Sequence, residues 1–364
     1  MSQPNVALSR PQITDDEKQA VMKVLDSGII AQGPVTAEFE KAYAAYVGVS
    51  HAVAVSSGTA ALHVALLAHG IKPGDEVITS SFSFIASANS VLYCGAKPVF
   101  ADIDPRTFNL DPKSVEKLIT PRTRAIMPVH LFGHPAEMEA FQALCRQHKL
   151  ALVEDACQSH GAGYQGKQVG SFGSGCYSFY PTKNMTSGEG GMITTNDADV
   201  AARAKLIRNH GMPVRYTHTM LGFNLRMTDI HAAIGLNQLK KLPARNQQRR
   251  ANARQLNERL AGCGVGLPVE LPGCEHVWHQ YTIRVPQGRD AAVDALTKAG
   301  IGTGVYYPKP IHQQPMYLEL GYKDDLPVTQ KAAAEVISLP VRPDLTAEEL
   351  TRVVDAVRAL KVGA

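Results

Sequence analysis

The chain has 364 residues, of which 45% are hydrophobic and 19% charged, with a formal net charge of +4. This length is too great for one compact core and predicts about two domains, and the composition excludes a disordered chain. The small charge gives no indication of a nucleic-acid-binding protein. The densest basic group falls on a helical segment and is interpreted as a solvated face; it comprises Arg245, Arg249, Arg250 and Arg254.

Six cysteines lack the paired CxxC spacing, which indicates reduced, buried thiols of a cytoplasmic protein. The first five residues, MSQPN, show no basic segment followed by an apolar one. No apolar stretch is long enough to cross a bilayer. We therefore expect a cytoplasmic protein without a membrane-spanning segment.

Two helices precede the first strand. The capping box TDDE at 14–17 predicts a helix that ends at Gly28 and carries Val21, Val24 and Leu25 on one face. A second helix is predicted to begin near Thr36. We expect both to lie across the main domain or across a partner subunit.

From residue 51, short apolar runs alternate with helical segments. The predicted strands are 51–55, 76–79, 98–101, 125–129, 150–154, 175–180 and 191–195. This alternation predicts a mostly parallel seven-stranded sheet with helices on both faces. The last two runs are close together in the chain, so they are expected to pair differently.

The pattern changes after residue 242, which divides the chain into a large domain, 1–242, and a smaller α+β domain, 243–364. The predicted parts of the smaller domain are a long basic helix to about 260, a joint at 262–273, a strand at 279–285, and helices near 290–299, 327–337 and 346–360.

Lys183 stands just beyond the carboxyl end of the predicted strand 175–180, where ligands gather in open α/β sheets. A lysine shielded from water there loses part of its proton affinity, as an amine must before it can attack a carbonyl. The alternative is a solvated loop lysine.

A second group follows the first strand. The turn SSGT at 56–59 leads at once into an Ala-rich helix, so that backbone N–H groups and the helix dipole create an anion site, most simply for a phosphate. The alternative is that Ser57 or Thr59 only caps the helix.

A third group ends the strand 150–154. Asp155 places a carboxylate at the same sheet edge as Lys183, and a buried carboxylate needs a cationic partner such as a protonated ring nitrogen. The alternative is a helix cap. An anion site, a carboxylate and a lysine together match the needs of pyridoxal 5'-phosphate.

Two other motifs are interpreted as structural. GAGYQG at 161–166 fits GxGxxG but does not join a strand to a helix, so we expect a loop. His130 and His134 are separated by Gly133 and lack a nearby carboxylate in the sequence, so no metal site is expected.

The chain resembles the sugar aminotransferases of the DegT/DnrJ/EryC1/StrS family, within fold type I of the pyridoxal-phosphate enzymes, which have an aspartate-aminotransferase-like α/β fold. The motifs that carry the resemblance are SSGTAAL at 56–62, EDACQSH at 154–160, SFYPTKN at 178–184, GEGG at 188–191, GFNLRMTD at 222–229 and YPKPIH at 307–312.

The resemblance implies a role for each matching position. Lys183 would form the Schiff base and shuttle the proton, and Asp155 would keep the pyridine nitrogen protonated. The remaining cofactor contacts implied are the phosphate ligands Gly58, Thr59 and Ser178, the ring-stacking Phe84, Gln158 near the ring hydroxyl, and Asn224 reaching the phosphate of the neighbouring subunit in a homodimer with shared active sites.

The reaction implied is transfer of an amino group from L-glutamate to a keto-sugar attached to a nucleotide diphosphate. The segment 222–230 is more similar to the members that act at C4 than to those that act at C3, although Phe223 and Leu225 stand where C4 members often have Tyr. Gln32, Tyr306 and His312 are candidates for substrate contact.

Three alternatives stay open. A sugar dehydratase of the same family would have histidine in place of Lys183. A ketocyclitol aminotransferase is poorly separated by these motifs. A regulatory protein that binds the cofactor without catalysis would usually add an effector or DNA-binding module, and no basic recognition helix precedes the fold.

Overall fold

The computed structural model describes residues 6–360, so the MSQPN segment and the last four residues lie outside the described part. The helices are α1 (Asp15–Ser27), α2 (Pro34–Val47), α3 (Gly58–Ala68), α4 (Ala86–Tyr93), α5 (Pro112–Glu116), α6 (Met138–His148), α7 (Ala198–Ile207), α8 (Asp229–Leu260), α9 (Arg289–Lys298), α10 (Pro315–Glu319), α11 (Pro327–Glu335) and α12 (Ala347–Arg358). The strands are β1 (His51–Val55), β2 (Glu76–Ser80), β3 (Lys97–Ala101), β4 (Thr123–Met127), β5 (Ala151–Asp155), β6 (Gly163–Tyr164), β7 (Lys167–Gln168), β8 (Ser174–Ser178), β9 (Gly191–Thr195), β10 (Cys274–Glu275), β11 (Tyr281–Arg284) and β12 (Val336–Leu339). Two 3₁₀ turns occur at Leu131–Gly133 and Ile311–Gln313.

The main sheet has seven strands in the order β1-β9-β8-β5-β4-β2-β3. The predicted strands are confirmed, with ends that differ by at most two residues. Every neighbouring pair is parallel except those that involve β9, which runs antiparallel to both β1 and β8. The different pairing expected for the last two runs is therefore confirmed, and β8 and β9 form a hairpin around the Lys183 loop.

Apolar side chains cover both faces of this sheet. On one face Val53, Val153 and Ile193 pack in a core with α3 and α7. On the other face Ile126 packs against α6, and Ala54 packs against α2 and α8. Because both faces are buried, the strands appear in the sequence as continuous apolar runs rather than alternating ones.

The predicted helix α1 is confirmed, but its buried face is narrower than expected. Val24 is buried, whereas Leu25 is 46% exposed. Glu17 closes the first turn, because its carboxylate accepts hydrogen bonds from the Thr14 N–H at 2.8 Å and the Thr14 hydroxyl at 2.6 Å. Gly28 ends the helix in the left-handed conformation with φ 72°.

Helix α8 crosses the predicted domain boundary. It begins at Asp229 and continues through Pro243, which is exposed, so the expectation that the basic helix starts after 242 is wrong. Beyond it, a second core joins the end of α8 to β11, β12, α9 and α12. The division into 1–242 and 243–364 stays a prediction.

The smaller sheet contains a strand that the sequence interpretation missed. The helix predicted over 327–337 ends at Glu335, and β12 follows at once and pairs antiparallel with β11. The β-branched pair Val336 and Ile337 belongs to this strand and not to the end of the helix.

The basic group on α8 is not a solvated face. Arg249 is 7% exposed, and its Nη1 donates hydrogen bonds to the carbonyl oxygens of Trp278 at 3.1 Å and His279 at 3.4 Å. Arg250 pairs with Glu270 at 3.0 Å. Of the four arginines only Arg254 is exposed. One turn of the helix separates Arg245 from Arg249, so these two lie on the same helix face and reach acceptors in the interior.

The remaining expectations concern smaller features. All six cysteines are free, and three of them are buried: Cys94, Cys145 and Cys176. The segment 161–166 belongs to a tight hairpin of β6 and β7, so it does not join a strand to a helix. Within residues 6–360, no helix combines the length and apolar character needed to cross a membrane.

Candidate active site

A cavity of about 640 Å³ opens at the carboxyl edge of the main sheet. Strands β1, β5 and β8 run parallel and end there, which brings three separate motifs to one place. Eight of the predicted site residues line the cavity: Gly58, Thr59, Phe84, Asp155, Gln158, Ser178, Lys183 and Tyr306.

The anion site lies at the first turn of α3. Ser57 caps the helix, since its Oγ accepts a hydrogen bond from the Ala60 N–H at 3.1 Å. Gly58 is so close to the end of β8 that an added Cβ would lie 2.6 Å from the Ser178 Cβ. The cap is therefore compatible with an anion site, because Ser57 satisfies only one of the N–H groups at the helix end and the Ser178 hydroxyl lies beside Gly58.

Asp155 is 4% exposed and has only neutral hydrogen-bond donors. The Ser87 hydroxyl donates to its Oδ2 at 2.7 Å, and the Cys157 N–H donates to its Oδ1 at 3.2 Å. In the described chain no lysine or arginine forms an ion pair with it. A carboxylate in this setting fits a cationic ligand atom, because a buried charge is costly without an opposite charge.

Lys183 is half-buried on the loop between β8 and β9, and its backbone N–H donates a hydrogen bond to the Tyr180 carbonyl at 3.0 Å. Withdrawal from water lowers the pKa of its amine, and Cys157 and Asp155 oppose that effect only in part. The next residue fixes the loop, since the Asn184 amide donates to Asn246 Oδ1 and to the Val277 carbonyl, both at 2.9 Å. The loop that carries the amine is thus fixed, and the amine has a reduced affinity for its proton.

Gln158 and Phe84 mark the other sides of the cavity. The Gln158 Oε1 accepts from the Phe132 N–H at 2.9 Å, and its Nε2 donates to the Tyr307 hydroxyl at 3.2 Å. Burial and then the Asp155 charge raise the pKa of Tyr307. Phe84 is 56% exposed at the rim, with its ring centroid 6.2 Å from that of Tyr307.

Three predicted site residues do not line this cavity. Asn224 is exposed and forms a β-bridge with Asn209. Gln32 lies beside Gly33, whose N–H donates to Asp229 Oδ1 at 2.8 Å. His312 is 2% exposed and hydrogen-bonds to the Ser81 hydroxyl at 2.7 Å, and its contact with substrate stays a prediction.

The two histidines considered for a metal have other partners. His130 Nε2 lies 3.1 Å from Glu154 Oε2, a carboxylate that the fold brings close although it is distant in the sequence. Glu154 comes from the neighbouring strand β5, and its carboxylate also accepts the backbone N–H groups of Gly170, Phe172 and Gly173. His134 donates from Nδ1 to the Pro135 carbonyl at 2.7 Å. No group of three metal-ligating side chains forms in residues 6–360.

Several lining residues were missed in the sequence. Ser87, which holds Asp155, lies on α4 one turn after Phe84, and that spacing could have indicated it. His279 and Gln280 come from the segment before β11, nearly one hundred residues after Lys183, and no motif connects them to the site.

The donor set fits the expected cofactor. A helix N-terminus with adjacent hydroxyls suits a phosphate, Asp155 suits a protonated ring nitrogen, and Lys183 suits a carbonyl carbon. The three groups line one cavity large enough for a small aromatic phosphate together with a sugar ring.

Comparisons with known proteins agree with this description. The model of the DegT/DnrJ/EryC1/StrS aminotransferase family matches residues 11–358. A pleiotropic regulatory protein of Geobacillus stearothermophilus is 45% identical over 93% of this chain and 94% of its own. GDP-perosamine synthase of Caulobacter vibrioides is 44% identical over 97% of both chains. A dTDP-3-amino-3,4,6-trideoxy-alpha-D-glucose transaminase of Streptomyces venezuelae is 43% identical over 93% of this chain and 90% of its own.

Among solved structures, DesV of S. venezuelae in complex with a ketimine intermediate superimposes with a TM-score of 0.95. It is 41% identical and covers 98% of both chains. The predicted fold class is therefore confirmed. With a family match over nearly its whole length, the chain belongs to the DegT/DnrJ/EryC1/StrS aminotransferase family.

Proposed function

We propose that this protein is a pyridoxal-phosphate-dependent aminotransferase. It moves an amino group from L-glutamate to a keto group of a deoxysugar attached to a nucleotide diphosphate. The observation that carries the proposal is that Lys183, Asp155 and the Gly58–Ser178 contact meet in one cavity. The similarity to GDP-perosamine synthase and to the dTDP-amino-sugar transaminase supports a nucleotide-linked sugar as the substrate.

Each side chain has a task that its surroundings support. The α3 N-terminus, Thr59 and Ser178 would hold the phosphate of the cofactor. Asp155, held by Ser87 and the Cys157 N–H, would keep a proton on the ring nitrogen. When bound, the cofactor supplies a ring that withdraws electrons from the substrate carbon that loses its proton.

Lys183 moves that proton. Its lowered pKa leaves a larger fraction of neutral amine at neutral pH, and a neutral amine can accept a proton from carbon. Gln158 and Tyr307 form a hydrogen-bonded pair at the cavity wall, which fixes the Gln158 amide. Lys183 would carry the proton between the substrate carbon and a carbon of the cofactor.

Within this reaction we favour C4 over C3 as the carbon that receives the amino group. The segment 222–230 supports C4, whereas the two sugar-modifying relatives are 44% and 43% identical and do not discriminate. The position must be read from the product, by nuclear magnetic resonance of the amino-sugar.

We also propose a homodimer with shared active sites. Asn224 lies outside the cavity of its own chain, and the loop before it exposes Tyr216 at 79% and Leu221 at 82%. Such apolar exposure beside a polar residue of the expected type supports docking against a second copy. The cytoplasmic location stays a prediction.

The test is transamination by the purified chain. After addition of pyridoxal phosphate we expect a visible absorption band, and with glutamate and keto-sugars linked to GDP, UDP or dTDP we expect formation of 2-oxoglutarate. Lys183→Ala should lower turnover by at least about a thousandfold, since it removes both the nucleophile and the proton carrier. The exposed Lys205→Ala on α7 is the matched control.

Other outcomes select the alternatives. A chain that acts on ketocyclitols but on no nucleotide-linked sugar would be a ketocyclitol aminotransferase. The relative named as a pleiotropic regulatory protein makes a regulatory role the second candidate. A chain that binds the cofactor but transfers no amino group to any of these substrates would favour that role, and a colourless chain would contradict the cofactor.

A further inference from the structure

The wall of the cavity opposite the main sheet is made by two adjacent polar residues, His279 and Gln280. Both side chains line the cavity with Lys183, although they are only 6% and 8% exposed. In the part of the chain that the structure describes, neither side chain has a hydrogen-bond partner, and His279 Nδ1 is fully buried without one. Buried polar groups are rarely left in this state unless a ligand completes them.

The backbone of this wall is fixed by the turn that contains Phe132 and Gly133. The Val277 N–H donates to the Gly133 carbonyl at 3.0 Å, and the Gln280 N–H donates to the Phe132 carbonyl at 3.1 Å. Gly133 has φ 97°, a backbone conformation that favours glycine. A Cβ at this position would lie 2.8 Å from the backbone nitrogen of His279, so only glycine allows this approach. The wall is rigid before any ligand arrives.

The buried Arg249 holds the wall from the other side. Its guanidinium donates to the carbonyl oxygens of Trp278 and His279, and no carboxylate forms an ion pair with it within residues 6–360. Asn184, next to Lys183, donates to the Val277 carbonyl at 2.9 Å. The position of the wall is therefore tied to the position of the lysine.

The chemistry of the pair fits neutral hydroxyl groups. Burial, and then the Lys183 charge, lowers the pKa of His279 well below its ordinary value, so the imidazole is neutral. A neutral imidazole and an amide each offer a donor and an acceptor, as a sugar hydroxyl does. A carboxylate only accepts hydrogen bonds and is better matched by a cation.

We propose that His279 and Gln280 bind hydroxyl groups of the sugar substrate and thereby help to select it, with Arg249 as the residue that positions them. This inference rests on the proposed function, because it assigns a role toward the same substrate. The glutamate half-reaction does not need the pair.

The test separates the two half-reactions. In His279→Leu and Gln280→Leu we expect the KM for the keto-sugar to rise about tenfold, the loss typical of removed neutral hydrogen bonds. The rate of the glutamate half-reaction and the Kd of pyridoxal phosphate, measured by absorbance without turnover, should stay within about twofold. His279→Gln keeps a donor and an acceptor and should recover most of the sugar affinity.

Thr282→Val is the matched control, since Thr282 is buried in the same segment but bonds to Ser338 outside the cavity. An unchanged KM for the sugar in both leucine variants would overturn the inference, as would an equal loss in both half-reactions. If the leucine variants do not fold, His279→Ala and Gln280→Ala decide, and an unchanged KM for the sugar in both overturns it. A wild-type chain inactive on every nucleotide-linked sugar would overturn the proposed function, and the inference with it.

Discussion

At the scale of single residues, Lys183 is shaped by the loss of water around its amine. Burial makes the protonated form less favourable, and neither Asp155 nor Cys157 restores the ordinary pKa. The same property that suits catalysis lowers the stability of the fold, because the unfolded chain can protonate this amine freely. Activity and stability therefore oppose each other at this position.

This opposition predicts a pH-dependent difference in stability. In the cofactor-free chain the folded state binds fewer protons at position 183 than the unfolded state does, so the free energy of unfolding rises with pH toward the ordinary lysine value of 10.5. Lys183→Met should be more stable than the wild type at pH 7, and the difference should shrink as the pH approaches that value. Urea unfolding of both chains between pH 7 and 10 measures it, with Lys205→Met as control. A difference that does not change with pH would contradict the assigned burial.

Gly58 gives a second prediction at this scale. An added methyl group would lie 2.6 Å from the Ser178 Cβ and 3.0 Å from the Cys157 sulfur. Gly58→Ala should therefore lower the free energy of unfolding by about 1–3 kcal/mol and weaken pyridoxal phosphate binding. Urea unfolding and an absorbance titration measure the two effects.

Adding Ser178→Gly to that variant removes the closer of the two contacts and should restore part of the stability without restoring affinity, because it also removes a proposed phosphate ligand. Failure of the double variant to regain stability would mean that the contact between β8 and α3 is not the cause.

The site residues that follow strands could be predicted from the sequence for a physical reason. Lys183 and Asp155 come directly after apolar runs, and the carboxyl ends of parallel strands share one edge. His279 gives no such signal, since its place depends on partners elsewhere in the chain. Arg249 donates a hydrogen bond to its carbonyl oxygen, and the N–H of the next residue, Gln280, donates to the Phe132 carbonyl. Contacts of that kind cannot be inferred from local pattern.

At the scale of elements, α1 is attached to α8 through one buried carboxylate. Glu17 is fully buried and accepts hydrogen bonds from Thr14, from Gln238 at 2.9 Å and from Lys241 at 2.8 Å. Burial alone would raise the pKa of Glu17, but these partners outweigh it and lower the pKa to about 2. The ionised form thus joins the two helices.

Glu17→Gln should lower the free energy of unfolding at pH 7 by about 2 kcal/mol, because the variant loses the charge that Lys241 and the capping box satisfy. The stabilisation is present above the ordinary glutamate pKa of 4.5 and is lost as the pH falls toward 2. The two chains should therefore converge in acid. Urea unfolding at pH 7, 5 and 3 tests this, and Asp15→Asn on the exposed side of α1 is the control. A gap of constant size would contradict the ion pair.

The elements themselves were largely predictable from the sequence. Strands buried on both faces appear as continuous β-branched and apolar runs, which is why all seven were found. The errors lie where two signals overlap. Alanines 332–334 continue a helical pattern into β12, and the basic helix expected after residue 242 in fact begins at Asp229.

At the scale of the whole molecule, a shared active site predicts complementation between inactive subunits. Lys183→Ala removes a group inside its own cavity, whereas Asn224→Ala removes one proposed to reach the partner's cavity. In a mixed dimer both defects fall on one site and the other site is intact. We expect an equal mixture, exchanged under mild denaturation, to recover about a quarter of the wild-type turnover.

Two controls accompany that experiment. Each variant alone, taken through the same treatment, should stay at its low activity. A mixture that recovers nothing, although mass spectrometry detects mixed dimers, would mean that Asn224 serves its own chain or none.

The antiparallel strand β9 has a further consequence. At its first residue, Gly191, a Cβ would lie 2.2 Å from the Ser57 carbonyl oxygen, so the backbone that leaves the lysine loop is in direct contact with the backbone that begins the proposed phosphate site. The spacing between the lysine loop and the first turn of α3 is therefore set by main-chain packing rather than by side-chain choice. Evolution or engineering can change which sugar enters the cavity while this spacing remains constant.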